Sequence, residues 1–167
     1  KLEREFVHEW ALRNPFVGTS LGMHDECDER MPDGSYSKLQ DDVRFLRRYE
    51  SEFSQIDGAR LSPTREIDRE LAIHQIRSWL FNREELRYWE RSPEAPHMVG
   101  ESIFQLLSRN YQPLAARLRS IMKRLEVLPA FLEQTKSRLR TPVKLFVENE
   151  LETLTRLPGF FNTLKDV

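Results

Sequence analysis

The chain has 167 residues, of which 39% are hydrophobic and 32% are charged, and this length is sufficient for one domain with its own core. Its formal net charge of −1 gives no global attraction to nucleic acid or to an anionic membrane. The single cysteine, Cys27, excludes an intrachain disulfide and a cysteine-based zinc cluster, and no apolar run approaches the roughly 20 residues of a membrane-spanning helix.

The first third of the sequence predicts two amphipathic helices separated by a long loop. Apolar residues at helical spacing predict a helix over 1–13, and Asn14-Pro15 ends it. Residues 16–36 are rich in glycine, proline and polar side chains, so we expect a loop with room for one helical turn. Ser37 is the predicted N-cap of the next helix, which should reach Asp57-Gly58.

The organising element is a long helix predicted over about 62–91. Ser62 and Pro63 suit its N-terminus, and no glycine or proline interrupts the chain before Pro93. Its apolar residues lie around most of the helix circumference when they are placed at about 100° per residue. We therefore expect a central helix that is buried on several sides in its middle and is charged at both ends.

Further helical segments follow, and together they predict an all-α fold. Helical spacing is visible over 100–108 and again in a regular apolar stripe that ends at Pro129. Pro129 is expected to open or kink the following segment, and Thr141-Pro142 should start a last helix that ends at Pro158-Gly159. No alternating strand pattern occurs. The prediction is one all-α domain over 1–167, with about seven mostly antiparallel helices.

Metal-ligating residue types occur at two places near the N-terminus. His8-Glu9 begins like the zinc-peptidase motif His-Glu-x-x-His, but position 12 is a leucine, so the motif is incomplete. Residues 24–29 (HDECDE) are rich in ligand types, although the spacing of a calcium loop is missing and such acidic segments are usually solvated. Neither place is assigned as a metal site.

No residue set for catalysis is recognisable elsewhere in the sequence. His74 lies in the apolar middle of the long helix and is expected to be a core histidine, and His97 has no visible partner. Neither a Gly-x-Ser-x-Gly motif nor a glycine-rich phosphate loop occurs. The sequence therefore assigns no catalytic, cofactor-binding or metal-binding residue to this chain.

Charge is unevenly distributed along the chain. Residues 109–144 contain nine basic and two acidic residues and carry a net charge of +7. A basic stripe of this kind could bind nucleic acid or another anionic ligand. It could equally be a solvated helix face, or one half of a contact with an acidic partner domain.

Six segments follow one another in an ordered arrangement. They are residues 14–24 (NPFVGTSLGMH), 32–35 (PDGS), 61–71 (LSPTREIDREL), 89–93 (WERSP), 124–129 (RLEVLP) and 139–142 (LRTP). Their order resembles the N-terminal part of the bacterial family known as domain of unknown function 885. The resemblance implies a longer, mostly α-helical, zinc-metallopeptidase-like enzyme whose His-Glu metal motif lies downstream of the matched region. Zinc is therefore expected only for the full-length protein, and none of its ligands is expected in this chain.

Two hypotheses from different classes follow. The first is that the chain is an N-terminal fragment that packs on the remainder of its own polypeptide and forms a non-catalytic helical wall around a channel for a peptide substrate. The alternative is a stand-alone helical binding module that uses segment 109–144 for an anionic partner, and a third possibility is a purely structural scaffold.

The fragment hypothesis predicts exposed apolar surface along the long helix or its neighbours, beside Trp79, Leu80 or Trp89. Nucleic acid and membranes are not expected as partners under this hypothesis. The compartment stays open between the cytoplasm and export with an upstream signal removed.

Overall fold

The computed structural model describes residues 1–163, and residues 164–167, which the one-domain prediction includes, lie outside the described part. The α-helices of residues 1–163 are α1 (Leu2–Arg13), α2 (Pro15–Ser20), α3 (His24–Cys27), α4 (Tyr36–Ser54), α5 (Pro63–Phe81), α6 (Ala95–Ser108), α7 (Leu114–Arg138) and α8 (Lys144–Thr163). These residues contain no β-strand, which confirms the all-α prediction.

Two short helices, α2 and α3, replace much of the loop predicted over 16–36. Pro15 begins α2 because its fixed φ suits a first helical turn. Its missing N–H costs nothing there, since the first N–H groups of a helix have no partner within the helix. Gly18 lies inside α2, so the loop prediction is wrong there. The chain then turns at Gly22, whose φ of 86° favours glycine, and the Met23 N–H donates to the Gly18 carbonyl at 2.9 Å.

Helix α4 differs from prediction at both ends, and it stops at Ser54, before the predicted Asp57-Gly58. Ser35, not the predicted Ser37, is the N-cap of α4, and its Oγ accepts a hydrogen bond from the Lys38 N–H at 3.2 Å. A 3₁₀ turn at Gly58–Arg60 leads to α5, which begins at Pro63 as predicted. The short connection places α4 and α5 side by side.

The first core lies between α1, α4 and α5 and is rich in aromatic rings. Phe6 of α1 lies 5.0 Å from Tyr49 and 5.7 Å from Phe53 of α4, measured between ring centroids. Ile76 and Leu80 of α5 complete the buried cluster. Burial of side chains of this size contributes about 2 kcal/mol each, so this cluster anchors the N-terminal helices.

The helix predicted over 62–91 is shorter than expected. α5 ends at Phe81, a π-helical turn follows at Asn82–Leu86, and Arg87 has a left-handed φ of 49°. The Trp89 ring folds back so that its indole N–H donates to the Arg83 carbonyl at 2.9 Å. This bond satisfies an acceptor that the end of a helix leaves free.

Only one side of α5 is buried, so the prediction of burial on several sides is wrong. Ile73, Ile76 and Leu80 form the buried stripe, because both helical neighbours, α1 and α4, lie on that side. Leu71 and Phe81 are exposed on the other side.

Helices α6, α7 and α8 form the second part of the fold. Their two buried clusters consist of Ile103, Leu106 and Ile121, and of Ala95, Val99 and Phe131. Helix α7 is continuous through Pro129, so it does not open there, and α8 continues through Pro158, where an end was predicted. Phe131, which follows Pro129, is buried, and Phe161, which follows Pro158, is half-buried against the same clusters, and these contacts offset the lost helical hydrogen bonds.

Helix α1 is tied to α4 by an acid-sensitive ion pair. Arg13 Nη1 donates to Asp41 Oδ2 at 2.6 Å and to Asp42 Oδ1 at 2.8 Å. The hydrogen bond from Arg13 holds the pKa of Asp41 below its usual value. Because the folded-state pKa lies below the unfolded one, the ionised Asp41 stabilises the native state above the unfolded pKa. That contribution is lost as the pH falls through the folded pKa.

We expect Arg13→Gln to destabilise the protein by about 0.5–1 kcal/mol at neutral pH, and by less at about pH 2, because solvent screens this partly exposed pair. Urea unfolding over a pH series measures both values. Arg4→Gln, which changes an exposed arginine of the same helix, should leave the acid dependence unchanged. Equal losses at both pH values would show that Arg13 acts through packing alone.

Candidate functional site

The histidine of the incomplete zinc motif makes a structural contact. His8 is exposed on α1, and its Nε2 lies 3.1 Å from Glu26 Oε1 of α3. This contact joins α1 to the acidic segment 24–29. A group of at least three histidine, cysteine, aspartate or glutamate residues that could hold a metal ion does not occur within residues 1–163.

The acidic segment 24–29 turns the side chains of His24, Cys27 and Asp28 inward. His24 Nδ1 lies 3.1 Å from Asp28 Oδ2, and the imidazole stacks on the Tyr111 ring with 3.5 Å between centroids. The Tyr111 hydroxyl donates to the same buried carboxylate. Burial and this acceptor raise the pKa of Tyr111. His24 and Asp28 therefore hold α3 against the chain before α7 and are not a solvated loop.

Two other histidines occupy exposed positions. His74 is exposed on α5, so the prediction of a core histidine is wrong, and the reason is that it lies outside the stripe that faces α4. His97 is exposed at the start of α6, with Nε2 3.9 Å from Glu101 Oε2. Its backbone N–H donates to Glu150 Oε2 of α8 at 3.2 Å. Neither imidazole faces a nucleophile among the described residues.

The basic segment 109–144 does not form one exposed stripe. Arg117 and Arg124 are buried, and both donate hydrogen bonds to backbone carbonyl groups. Lys123 and Lys136 pair with glutamates three residues away on their own helix. The net charge of the segment therefore overstates the positive charge that an anionic partner could contact.

Arg124 is the most deeply buried charged side chain within residues 1–163, with 1% of its surface exposed. Its Nη1 donates to the Ser102 carbonyl at 2.8 Å, and its Nη2 donates to Thr19 Oγ1 at 2.7 Å and to the Cys27 carbonyl at 3.3 Å. Burial lowers the pKa of Arg124 to about 10, so the guanidinium stays charged at neutral pH. Arg124 thus connects α7 with α2, α3 and α6.

A largely apolar groove of about 320 Å³ lies between α8, the end of α7 and the segment 89–96. We call it the apolar groove. Its apolar lining includes Trp89, Leu132, Leu139, Val147, Leu151 and Leu154, and its charged lining includes Lys136 and Glu150. The backbone N–H groups of Arg140 and Val143 donate to the Glu90 and Arg91 carbonyls, both at 3.0 Å. These bonds hold the connection between α7 and α8 against the segment 89–96.

A second cavity of about 160 Å³ adjoins the groove and contains ionisable side chains. Its defining residues are Arg83, Glu94 and Arg138, and we call it the charged cavity. The two spaces share Trp89, Glu94 and Arg138 in their linings. The residues come from three separate elements, which is why the sequence did not reveal the cavity.

Helix α8 contributes apolar surface without burying any residue. Leu145, Leu151 and Leu154 are 59%, 54% and 46% exposed. Leu71 and Phe81 are also exposed on α5, which confirms the prediction of exposed apolar surface. The residues named beside that surface are themselves covered: Leu80 and Trp89 are buried and Trp79 is half-buried. Within residues 1–163, no helix combines the length and apolar character that crossing a membrane requires.

Comparisons with known proteins agree with this architecture. A solved structure from Shewanella oneidensis, described as "a putative lipoprotein of unknown function", is 19% identical and matches 92% of this chain with a TM-score of 0.76. The match spans only 28% of that longer chain, and at this identity the likeness shows the fold alone. No curated protein matches the sequence. A family model described as "Bacterial protein of unknown function (DUF885)" matches residues 15–165, and the chain therefore belongs to the DUF885 family.

Proposed function

We propose that this chain is a non-catalytic helical domain that packs through α8 on further polypeptide of a larger protein. The observation that carries the proposal is that no residue of α8 is fully buried, while three of its four leucines remain about half exposed. Leu151 and Leu154 are three residues apart and therefore share one side of the helix. Contiguous apolar surface of this kind marks an interaction site.

The length of the solved relative supports the same proposal. This chain corresponds to 28% of that chain, so a protein with this fold can carry much more polypeptide than the described helices. We propose that the partner surface belongs to the same polypeptide. Packing within one chain needs no separate association step, and its effective concentration is therefore high.

We further propose that the part of the apolar groove away from Leu151 and Leu154, which the further polypeptide leaves open, forms part of the wall of a channel for a peptide substrate. The volume of the apolar groove and its mixture of apolar and charged lining residues are consistent with a binding role. The chemistry, and any zinc ion, would lie in the other polypeptide. We do not include nucleic acid among the proposed partners, because Arg117 and Arg124 are buried.

The double substitution Leu151→Lys and Leu154→Lys should separate the packing role from a local structural role. Because both leucines are about half exposed, we expect a loss of less than about 1 kcal/mol in the 167-residue chain, where a lysine stem can lie along the groove. In a longer polypeptide that covers α8, we expect a loss above about 3 kcal/mol from burying unpaired charge. Urea unfolding of both proteins measures the two values.

A matched control uses exposed apolar residues of another helix. Ile67→Lys together with Leu71→Lys on α5 should change the two proteins equally and only slightly. If the α8 variant also destabilised both proteins to the same small extent, α8 would not be the packing surface.

A further inference from the structure

The charged cavity brings together three ionisable side chains that are not paired with one another. Arg83 lies on the π-helical turn after α5, Glu94 precedes α6, and Arg138 ends α7. In the described part of the chain, these three groups act on one another through their charges alone, without a hydrogen bond between them. All three side chains are half-buried, and charges that are partly withdrawn from water are normally paired, so this arrangement requires an explanation.

The two arginines have unused hydrogen-bond donors. Within residues 1–163, Arg83 Nε and Arg138 Nε are buried and have no acceptor. Arg83 Nη1 makes only a long hydrogen bond of 3.4 Å to the Trp79 carbonyl. Buried guanidinium donors without an acceptor are unfavourable, and an oxygen-bearing ligand would satisfy them.

Two other carboxylates line the cavity, those of Asp33 and Asp42. Asp33 is exposed, so solvent screens its charge. Asp42 accepts from Arg13 at 2.8 Å and also pairs with Lys38. The remaining group of Arg83, Glu94 and Arg138 has a net charge of +1, and this is the charge that one monoanion neutralises. A dianion would experience stronger repulsion from Glu94.

The pKa shifts of Arg83, Glu94 and Arg138 indicate that each charge in the cavity is poorly solvated. Burial lowers the pKa of Arg83 and of Arg138, and the Arg83 charge lowers the Arg138 pKa further. Burial raises the pKa of Glu94, and the two guanidinium groups oppose that rise. The cavity therefore holds charges that are desolvated more than they are compensated.

We propose that the charged cavity binds a carboxylate group between the guanidinium groups of Arg83 and Arg138. Guanidinium donors lie in a planar fork that matches the two oxygens of a carboxylate. The cavity volume of about 160 Å³ admits a small organic acid or one acidic side chain. This inference goes beyond the packing role of α8, because it rests on the charges of the cavity and is tested on the chain itself.

Acetate is the probe, and sodium chloride at the same ionic strength is the reference for screening. We expect saturable shifts of the Trp89 indole and arginine Nε–H NMR signals with acetate and none with chloride. Arg83→Gln and Arg138→Gln should each weaken acetate binding by about tenfold or more, because each removes charge-assisted hydrogen bonds. Arg119→Gln, which changes an exposed arginine of α7, should leave the affinity unchanged.

Glu94→Gln supplies a test with the opposite sign. It removes the competing negative charge, so acetate should bind more tightly than in the unchanged protein. The acetate affinity of this variant tests the proposal even if an arginine variant fails to fold. Binding of acetate only after Glu94→Gln would mean that Glu94 itself pairs with the arginines and would overturn the proposal.

Two further results would also overturn it: acetate shifts no larger than those of chloride, or tighter binding of inorganic phosphate than of acetate. Repeating the titration on a longer polypeptide that contains the domain distinguishes the sources of the carboxylate. Retained binding indicates a free acid, whereas loss of binding indicates that an acidic side chain of that polypeptide occupies the cavity.

Discussion

Replacing Arg124 by methionine should destabilise the protein by about 3 kcal/mol. Methionine fills much of the same space but cannot donate, so the Ser102 and Cys27 carbonyls and the Thr19 hydroxyl each lose a buried donor. Each hydrogen bond from a charged donor contributes about 1.5–3 kcal/mol, but the Cys27 carbonyl keeps its bond from the Arg30 N–H at 3.1 Å, and repacking around the thioether recovers part of the sum. Urea unfolding followed by circular dichroism measures the change.

A matched variant separates this network from the general effect of removing charge from α7. Arg119→Met replaces an exposed arginine of the same helix and should change the stability by less than about 0.5 kcal/mol. Arg124→Lys should remain clearly destabilised, because one ammonium group cannot reproduce the geometry of the guanidinium fork. A loss below about 1 kcal/mol for Arg124→Met would contradict the view that this arginine connects four helices.

Gly18→Ala should destabilise the protein by about 3 kcal/mol. A Cβ at position 18 would lie 2.9 Å from the Cys27 Cβ and closer still to its Sγ, and 3.2 Å from the Ala11 carbonyl oxygen. All three residues are buried, and the Ala11 oxygen belongs to backbone, so the strain cannot be relieved by moving one flexible side chain. Overpacking of this severity lies at the upper end of its usual range.

The thiol can be removed to test this explanation. Cys27→Ala alone should cost about 1 kcal/mol, whereas Cys27→Ala added to Gly18→Ala should restore part of the lost stability, because the two changes are coupled. Gly159→Ala in α8 is the control: nothing lies within 4 Å of its added Cβ, and it should stabilise the helix by about 0.5–1 kcal/mol. Additive losses for the pair at positions 18 and 27 would refute the proposed clash.

Local signals predict where most helices begin but not always where they end. Asn14-Pro15 ends α1 and Pro63 begins α5 as predicted, because proline acts through its own φ and its missing N–H. The end of α5 depends on Trp89, which reaches back to a carbonyl of the preceding turn. Pro129 lies within a continuous α7 because a buried ring follows it. Such tertiary contacts do not appear in helical spacing.

The candidate site was less predictable than the fold. Arg83, Glu94 and Arg138 are distant in sequence and meet only after α5 ends in a π-helical turn, so no local motif indicates the charged cavity. Arg124 does carry a local signal. It lies three residues after the buried Ile121, and an arginine on the buried side of a helix indicates a hydrogen-bond network.

Residue type alone also misleads at position 122. Met122 belongs to the apolar stripe predicted before Pro129, but it is exposed in the structure, whereas Arg117 and Arg124 are buried on the same helix. The rest of the stripe faces the core, with Ile121 buried and Leu118 and Leu125 packed beside it. The two arginines are buried because their hydrogen bonds to backbone carbonyl groups compensate for the lost water.

Hydrogen–deuterium exchange of the α8 amides tests the packing role of this domain most directly. The measurement compares the 167-residue chain with a longer polypeptide that contains it. Our account predicts that exchange over 145–157 slows by about tenfold or more in the longer protein, because covering Leu145, Leu151 and Leu154 opposes local opening, while exchange in α4 changes little. Equal exchange rates for α8 in the two proteins would contradict the account.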